Sequence, residues 1–169
     1  MEIYTLDKEI WTHEDFEEMG WHDANIYGMT IENNDDNWAA DFLLDIDYIF
    51  QWVHPVPPAD FFTFWVAPCT LIFKNCSDLL IDIDTSGMKL DYLMEIDYLN
   101  LKSKVEQEKN KFVFEWTIEL QIGQIELKSC GFEQIVRRKP IHARRQRLSL
   151  EERGWINFGR KTDIKKCPC

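Results

Sequence analysis

Apolar and polar side chains alternate with a period of two in several segments of the chain, and this alternation restricts its fold more than any other feature. In FLLDIDYIF, residues 42–50, one face of an extended strand carries only large apolar side chains, whereas the other face carries Asp45 and Asp47. The same alternation returns in LLIDID (79–84), MEIDYL (94–99) and KFVFEWTIEL (111–120). Such segments predict an antiparallel sheet with one buried face and one face in water.

The connections between these segments favour an all-β architecture. About eight strands follow one another through short links, with no long amphipathic helix between them. We therefore predict a mainly β fold, an antiparallel sandwich or barrel with a short N-terminal helix and an irregular C-terminal segment. Thr12 is the expected N-cap of the helix, and Gly20 is its expected end. Residues 124–137 are predicted as one strand of a hairpin that turns around Gly123.

Charge divides the chain into two unequal parts. Residues 1–136 carry 27 acidic and 8 basic side chains, whereas residues 137–169 carry 3 acidic and 11 basic ones. We predict an antiparallel β domain over residues 1–137 and a basic C-terminal segment, residues 138–169, that docks on it. The hypothesis is that basic residues of this region lie against the acidic sheet face, namely Arg137, Arg138, Arg144, Arg145 and Arg147. Deletion of residues 138–169 would then lower thermal stability, and more so at low salt.

Composition argues against several classes of protein. The net charge of −11 would repel phosphate, which disfavours nucleic acid as a partner. The N-terminus lacks a basic region followed by an apolar run, and the apolar stretch 61–73 is too short to span a bilayer. These features favour a cytoplasmic protein without a membrane partner.

The five cysteines, without a secretion signal, predict reduced thiols. Cys69 and Cys130 lie in apolar, strand-like contexts and are predicted to pack in the core. Cys167 and Cys169 supply too few ligands for a closed zinc site, and we interpret them as free thiols of a frayed terminus.

The acidic faces of the strands are the first candidate binding surface, for a partner that is a basic protein. The residues concerned are Asp45, Asp47, Asp82, Asp84, Glu95 and Asp97. If these strands are neighbours, like charges face one another, which destabilises a sheet. Water, a divalent cation such as Ca²⁺ or Mg²⁺, or a basic partner would offset the repulsion. We predict no dedicated metal site and no cofactor.

Aromatic residues around the proline-rich connection 54–58 form the second candidate surface, for a small apolar ligand. Its predicted members are His22, Trp52, His54, Phe61 and Trp65. Aromatic walls are typical of ligand pockets, although an aromatic protein-binding patch has the same composition. The chain has no motif for a catalytic nucleophile, a phosphate-binding loop or a metalloprotease, so no catalytic residue is predicted.

Three strings, WHDANIYGM, DIDYIFQW and FWVAPCTLIF, carry a resemblance to a family of small bacterial β-rich proteins without an assigned activity. The similarity covers roughly residues 16–85. It implies a β fold and a bacterial origin, and it implies no catalytic residue. Some small acidic bacterial proteins of this kind are immunity proteins, which act against toxins.

Three functions remain open at this point. The first is a non-enzymatic binding protein that uses the acidic face or the aromatic patch, with an immunity-type inhibitor as one form of it. The second is a small-molecule-binding β-barrel. The third is a metal-dependent hydrolase built on His22 and the aspartates Asp45, Asp47, Asp82 or Asp84. The sequence favours the first and leaves a homo-oligomer open.

Overall fold

The computed structural model describes residues 4–34, 39–87, 94–162 and 164. Within these residues, ten strands form one antiparallel sheet that is not closed into a barrel. The strands are β1 (Ile10–Thr12), β2 (Ala24–Asn34), β3 (Ala39–Val53), β4 (Thr63–Phe73), β5 (Ser77–Ile83), β6 (Glu95–Glu108), β7 (Lys111–Leu120), β8 (Gly123–Ser129), β9 (Phe132–Val136) and β10 (Ile141–Ala143). A 3₁₀ helix covers His13–Glu18, and the α-helical turn α1 covers Leu150–Arg153. The mainly β, antiparallel prediction is confirmed, and the segment predicted as irregular contributes β10 and α1.

The sheet has two halves joined by a short pairing. Its strand order is β1-β9-β4-β3-β2-β6-β7-β8-β5, and β10 pairs with β4. The strands from β1 to β2 in this order are called the first half, and those from β6 to β5 the second half. The halves meet where Ala24 and Asn25 of β2 pair with Ile96 and Glu95 of β6. The pairs β2–β3 and β6–β7 extend much further along their strands.

The two halves face each other across an aromatic core. Trp116 of β7 is fully buried, and its ring centroid lies 6.0 Å from that of Phe73 on β4 and 5.5 Å from that of Phe132 on β9. Phe16 of the 3₁₀ helix lies 5.4 Å from the same ring. On β3 the core side chains are Phe42, Leu44, Ile46 and Tyr48, which is the face that the alternation predicts. We call this face of the first half its inner face and the opposite one its outer face.

The predicted strand 124–137 is broken at Cys130 and Gly131. The predicted hairpin around Gly123 forms, since β7 and β8 pair from Phe114–Ser129 to Leu120–Gly123. Gly131 then has φ +128, and a Cβ there would lie 2.4 Å from His13 Nδ1. Only glycine fits this position, and the break carries the chain from β8 in the second half to β9 in the first.

Pro68 lies inside β4, between strands on both sides. On one edge of β4 the neighbour changes at this point, because β10 pairs up to Val66 and β9 pairs from Cys69. The carbonyl of Pro68 accepts the N–H of Arg137 at this edge. The missing N–H of proline therefore faces the gap between β10 and β9, where its loss costs no ladder hydrogen bond.

Both helices begin with a capping box, and Thr12 is the N-cap that the sequence predicts. Thr12 and Asp15 cap the 3₁₀ helix, and Ser149 and Glu152 cap α1. Gly20 directly follows the C-cap Met19, but the prediction that it closes the helix in the left-handed conformation is wrong, because its φ is not positive. Within the described ranges, no helix has the length and apolar character needed to cross a membrane.

We expect Trp116→Ala to lower the free energy of unfolding by about 3–5 kcal/mol, because it leaves a cavity between the two halves of the sheet. Urea denaturation followed by circular dichroism measures this loss. Leu80→Ala is the matched control, since Leu80 is 52% exposed on β5, and its effect should stay within about 0.5 kcal/mol. Equal stability of the two variants would contradict a core between the halves.

Candidate functional site

Asp45 and Asp47 lie fully buried on the outer face of β3. The two oxygens of Asp45 accept hydrogen bonds from Arg153 Nη2 at 2.7 Å and from Arg153 Nη1 at 2.8 Å. Asp45 also accepts a hydrogen bond from Arg137, and Asp47 accepts one from Arg153 Nε at 3.2 Å. All four side chains are almost completely excluded from solvent, so the charges neutralise one another inside the protein.

The same two carboxylates hold the backbone of the C-terminal residues. Asp47 accepts the N–H of Leu148 at 2.7 Å, and Asp45 accepts the N–H of Asn157 at 2.9 Å. The Arg153 guanidinium lies 3.6 Å from the centre of the Tyr27 ring, a short cation–π contact. Burial raises the pKa of Asp47, even though Arg153 and the N–H of Leu148 favour its charged form.

Gly28 of β2 makes room for this segment on the outer face. A Cβ at Gly28 would lie 3.1 Å from the Phe158 ring and 3.3 Å from Ile156. Phe158 packs against a small apolar cluster of Leu43, Ile72 and Ile135. The outer face of the first half is therefore covered by residues that follow β10.

The expectation of a wet acidic face is wrong for Asp45 and Asp47. Their carboxylates are buried and paired, so they are not presented to a partner. Of the hypothesised arginines, Arg137 contacts Asp45, whereas Arg138 donates to the carbonyls of Glu151 and Glu152. Arg145 binds the Glu152 carboxylate.

The sequence reasoning missed Arg153 and Arg160. Arg160 binds Glu32 and Asp41 on β2 and β3. Arg153 lies in the last turn of α1, directly before Gly154, whose φ of +77 ends the helix. The spacing of Ser149 and Glu152 is typical of a capping box at the start of a helical turn, but nothing local indicates that Arg153 at the end of this turn is buried.

A second group of predicted residues meets at the surface. The His22 ring stacks on Trp52 with centroids 6.2 Å apart, and on Tyr98 with centroids 6.0 Å apart. Trp52 then contacts Phe62 at 5.8 Å, and Phe62 contacts His54 at 5.0 Å. We call these five residues the aromatic strip. Phe61 follows directly before Phe62 and is 83% exposed.

Two β-bulges turn members of this strip out of the core. The register of β3 on β4 shifts between Ile49 and Gln51, and Trp52 then pairs with Phe64 on the outer face. The register of β6 on β7 shifts between Ile96 and Tyr98, so that Leu99 is buried and Tyr98 is exposed. The simple alternation predicts the opposite orientation for Tyr98 and Leu99. An extra residue in one strand reverses which side chains face the core.

Trp65 does not belong to this surface. It is buried on β4, where its ring lies 4.9 Å from His142 and 5.6 Å from Tyr4. Trp65 pairs with Gln51, one position before the Trp52–Phe64 pair, so it points to the opposite face of the sheet. The five residues predicted as one ligand site therefore do not line a common cavity.

The predicted acidic residues lie in three places. Glu95 and Asp97 border the aromatic strip, since His22 Nδ1 is 3.3 Å from the Asp97 carbonyl oxygen. Asp23 joins them, with Oδ1 at 3.6 Å from His22 Nε2. Burial, together with the negative charges of Asp23 and Asp97, raises the pKa of Glu95. We call the strip together with Asp23, Glu95 and Asp97 the aromatic–acidic surface.

Asp82 and Asp84 lie at the far end of the sheet, away from the other acidic residues. Asp82 is on the edge strand β5, and Asp84 follows it and accepts the N–H of Ser86 at 2.8 Å. The strands β3, β5 and β6, which carry the three acidic pairs, are not neighbours in the sheet. The predicted repulsion between facing carboxylates therefore does not arise.

No cluster of metal-binding side chains is found in the part of the chain that the structure describes. Three or more His, Cys, Asp or Glu side chains placed to hold a metal ion are absent from these residues. His22 lies at the surface, Asp45 and Asp47 in the interior, and Asp82 and Asp84 at the sheet edge, so the residues of the hydrolase hypothesis are not brought together.

The described cysteines are free thiols in different surroundings. Cys69 is buried as predicted, but Cys130 is exposed, because the β8–β9 break places it at the surface. Burial raises the pKa of Cys76 to about 11. Cys167 and Cys169 lie outside the described residues.

No protein family model, curated protein or solved structure matches the chain. The buried network of Asp45, Asp47, Arg137 and Arg153 positions the C-terminal residues. The aromatic–acidic surface presents stacked rings and carboxylates to solvent.

We expect Asp45→Asn to lower the free energy of unfolding by about 3–5 kcal/mol, because it leaves the buried Arg137 without its charged partner and leaves Arg153 paired with Asp47 alone. Thermal and urea unfolding at low and high salt measure the effect. The loss should be nearly the same at both salt concentrations, since buried pairs are screened weakly.

Asp82→Asn is the matched control, because Asp82 is exposed, and its effect should stay within about 0.5 kcal/mol. If the stability loss of Asp45→Asn disappears at high salt, the ion pairs of Asp45 are screened by solvent. That result would contradict their burial and would support the predicted surface interaction.

Proposed function

We propose that this chain is a non-enzymatic binding protein that engages a basic protein partner through the aromatic–acidic surface. The observation that carries the proposal is the stacking of His22 on both Trp52 and Tyr98, with the Asp23 carboxylate and the Asp97 carbonyl beside its ring. Residues that the sequence suggested for two separate surfaces adjoin one another here.

The aromatic strip has the composition and rigidity of an interface core. Tyr98 is 58% exposed and Trp52 is 37% exposed, although both are large apolar side chains. Trp and Tyr contribute disproportionately to binding energy at protein interfaces. Because stacking already restrains these rings, a partner would have to order few side chains on binding.

Charge favours a basic partner over an acidic or neutral one. The chain has a net charge of −11, which attracts basic partners over long range and raises association rates. At short range, burial and the negative charges of Asp23 and Asp97 raise the pKa of Glu95, although Arg147 favours its charged form. A Lys or Arg side chain of a partner would relieve that repulsion.

Immunity-type inhibition is the specific form of binding that we propose, in the bacterial cytoplasm. An acidic protein of this kind neutralises a toxin by covering it. The small-molecule alternative has less support, because the sheet is open and Trp65 points away from the other predicted ligand residues. The hydrolase alternative has less support, because its residues lie apart.

Affinity capture from a lysate of the host cell tests the proposal. The baits are the wild-type chain and the double variant His22→Ala/Trp52→Ala. We expect the wild type to retain a basic protein that elutes with rising salt, and the variant to retain at least about tenfold less of it, as expected for loss of central aromatic contacts.

The matched control bait is Leu80→Ala/Ile81→Ala, which removes two exposed apolar side chains from β5 instead. It should capture as much partner as the wild type. Circular dichroism must give the same melting temperature for all three baits. Equal capture by the wild type and the His22/Trp52 variant would reject the aromatic–acidic surface as the binding site.

A further inference from the structure

The strand β6 has one open edge beside the aromatic–acidic surface. It is 14 residues long and pairs with β7 from Ile96 to Glu108, with register shifts after Ile96, Leu101 and Glu106. On its other edge, β2 pairs only with Glu95 and Ile96. Among the described residues, no strand is paired with that edge from Tyr98 onward. The open edge of a strand presents unpaired N–H and C=O groups to an incoming chain.

A trough runs along this part of β6, with the 3₁₀ helix as its other wall. One groove of about 290 Å³ is lined by Asp97, Tyr98 and Leu99 and, across from them, by Phe16 and Glu17. Consecutive residues of a strand point to opposite faces, so a groove lined by three of them lies at the edge of the strand.

A second groove, of about 560 Å³, continues the trough. It contains Leu101 and Lys104 of β6 and shares Phe16 and Glu17 with the first groove. Its apolar floor includes Phe112 and Phe114 of β7, and Glu14 lies at its rim. The two grooves together follow β6 for several residues beyond its pairing with β2.

We propose that this edge is a strand-addition site, at which an extended segment of the basic partner pairs with β6. The inference rests on the proposed function and names the part of the partner that is recognised. Backbone hydrogen bonds to β6 would supply affinity, and alternate side chains of the segment would enter the trough. Its apolar side chains would contact Phe16, Phe112 and Phe114.

The charges along the trough fix where the basic residues of the segment belong. Asp97 and Glu17 line the first groove together with His22, and its described lining contains no Lys or Arg. In the second groove, Lys104 lies 4.4 Å from the Phe112 ring centre and supplies a positive charge. We therefore place a Lys or Arg of the segment at the Asp97 end and apolar residues at the Lys104 end.

The other edges of the sheet fit this role less well. The edge strand β1 has only three residues. The edge strand β5 has seven residues, half the length of β6, and Asp78 near its start has φ +51. A short edge strand offers few backbone groups for pairing with another chain. β5 is therefore the internal control for strand addition.

The test uses the full-length, ¹⁵N-labelled protein and the synthetic peptide acetyl-Thr-Lys-Val-Arg-Val-Thr-amide. Amide hydrogen exchange is measured by NMR with and without peptide. We expect the β6 amides between Tyr98 and Glu108 that point away from β7 to exchange at least about tenfold more slowly with peptide, because they become hydrogen-bonded. Unchanged exchange in β6, or protection in β5 instead, overturns the proposal.

Two control peptides separate backbone pairing from charge attraction. A peptide N-methylated at alternate residues lacks the required N–H donors and should give no protection of β6. A peptide with Glu in place of Lys and Arg should bind at least about fivefold more weakly, because it faces Asp97 and Glu17. Protection by the N-methylated peptide equal to that by the parent peptide would overturn strand addition.

Asp97→Lys and Asp82→Lys form the matched pair of protein variants. We expect Asp97→Lys to weaken binding of the basic peptide, and Asp82→Lys on β5 to leave it within about twofold of the wild type, because a distant exposed charge is screened. Equal affinities of both variants would overturn the placement of the basic residue.

The peptide and capture experiments fail independently. A partner captured through His22 and Trp52 that leaves the β6 amides unprotected in the complex would reject strand addition and retain the proposed function. Peptide protection of β6 without any effect of His22→Ala/Trp52→Ala on capture would reject the aromatic strip and retain the edge site.

Discussion

The buried pairing of Arg153 with Asp45 and Asp47 is the interaction on which the arrangement of the first half depends. Two carboxylates in the interior are tolerated only when opposite charges and hydrogen-bond donors meet them there. Arg153 supplies three donor nitrogens to them, and Leu148 and Asn157 supply backbone N–H groups. The aspartates thus act as fixed anchor points for a segment that has little regular structure of its own.

The network also decides which surfaces remain free. The first half is covered on its inner face by the second half and on its outer face by the residues after β10. Apolar side chains such as Val66 and Ile72 would otherwise be exposed on that outer face, and both are fully buried. The anchored segment reaches the aromatic–acidic surface as well, because Gln146 donates to Asp23 at 2.6 Å two residues before Leu148. The short segment from Gln146 to Leu148 therefore links the buried Asp47 to the surface carboxylate of Asp23.

Local sequence patterns predicted the strands and their inner face, but not what covers the outer face. The alternation predicts that Asp45 and Asp47 lie on the same face of β3, and they do. Whether that face meets water depends on Arg153, which is more than a hundred residues away in the chain. The break at Gly131 was missed for a related reason, since the His13 ring that occupies the place of a Cβ comes from the other end of the sequence. Contacts of this range leave no periodic signal.

The candidate surface arises where the regular alternation fails. Without the irregularity at Ile49–Gln51, Trp52 would continue the inward-facing set of Phe42 to Phe50, and without the one at Ile96–Tyr98, Tyr98 would follow Ile96 into the core. Each bulge releases one large ring from the core, and His22 stacks between the two released rings. Bulges cost ladder hydrogen bonds, and they recur where a strand must redirect a side chain. Two independent bulges whose redirected rings meet on one exposed histidine are hard to explain by packing, because rings left inside would bury more apolar area. A binding surface at this place would require Trp52 and Tyr98 to be exposed instead of buried in the core.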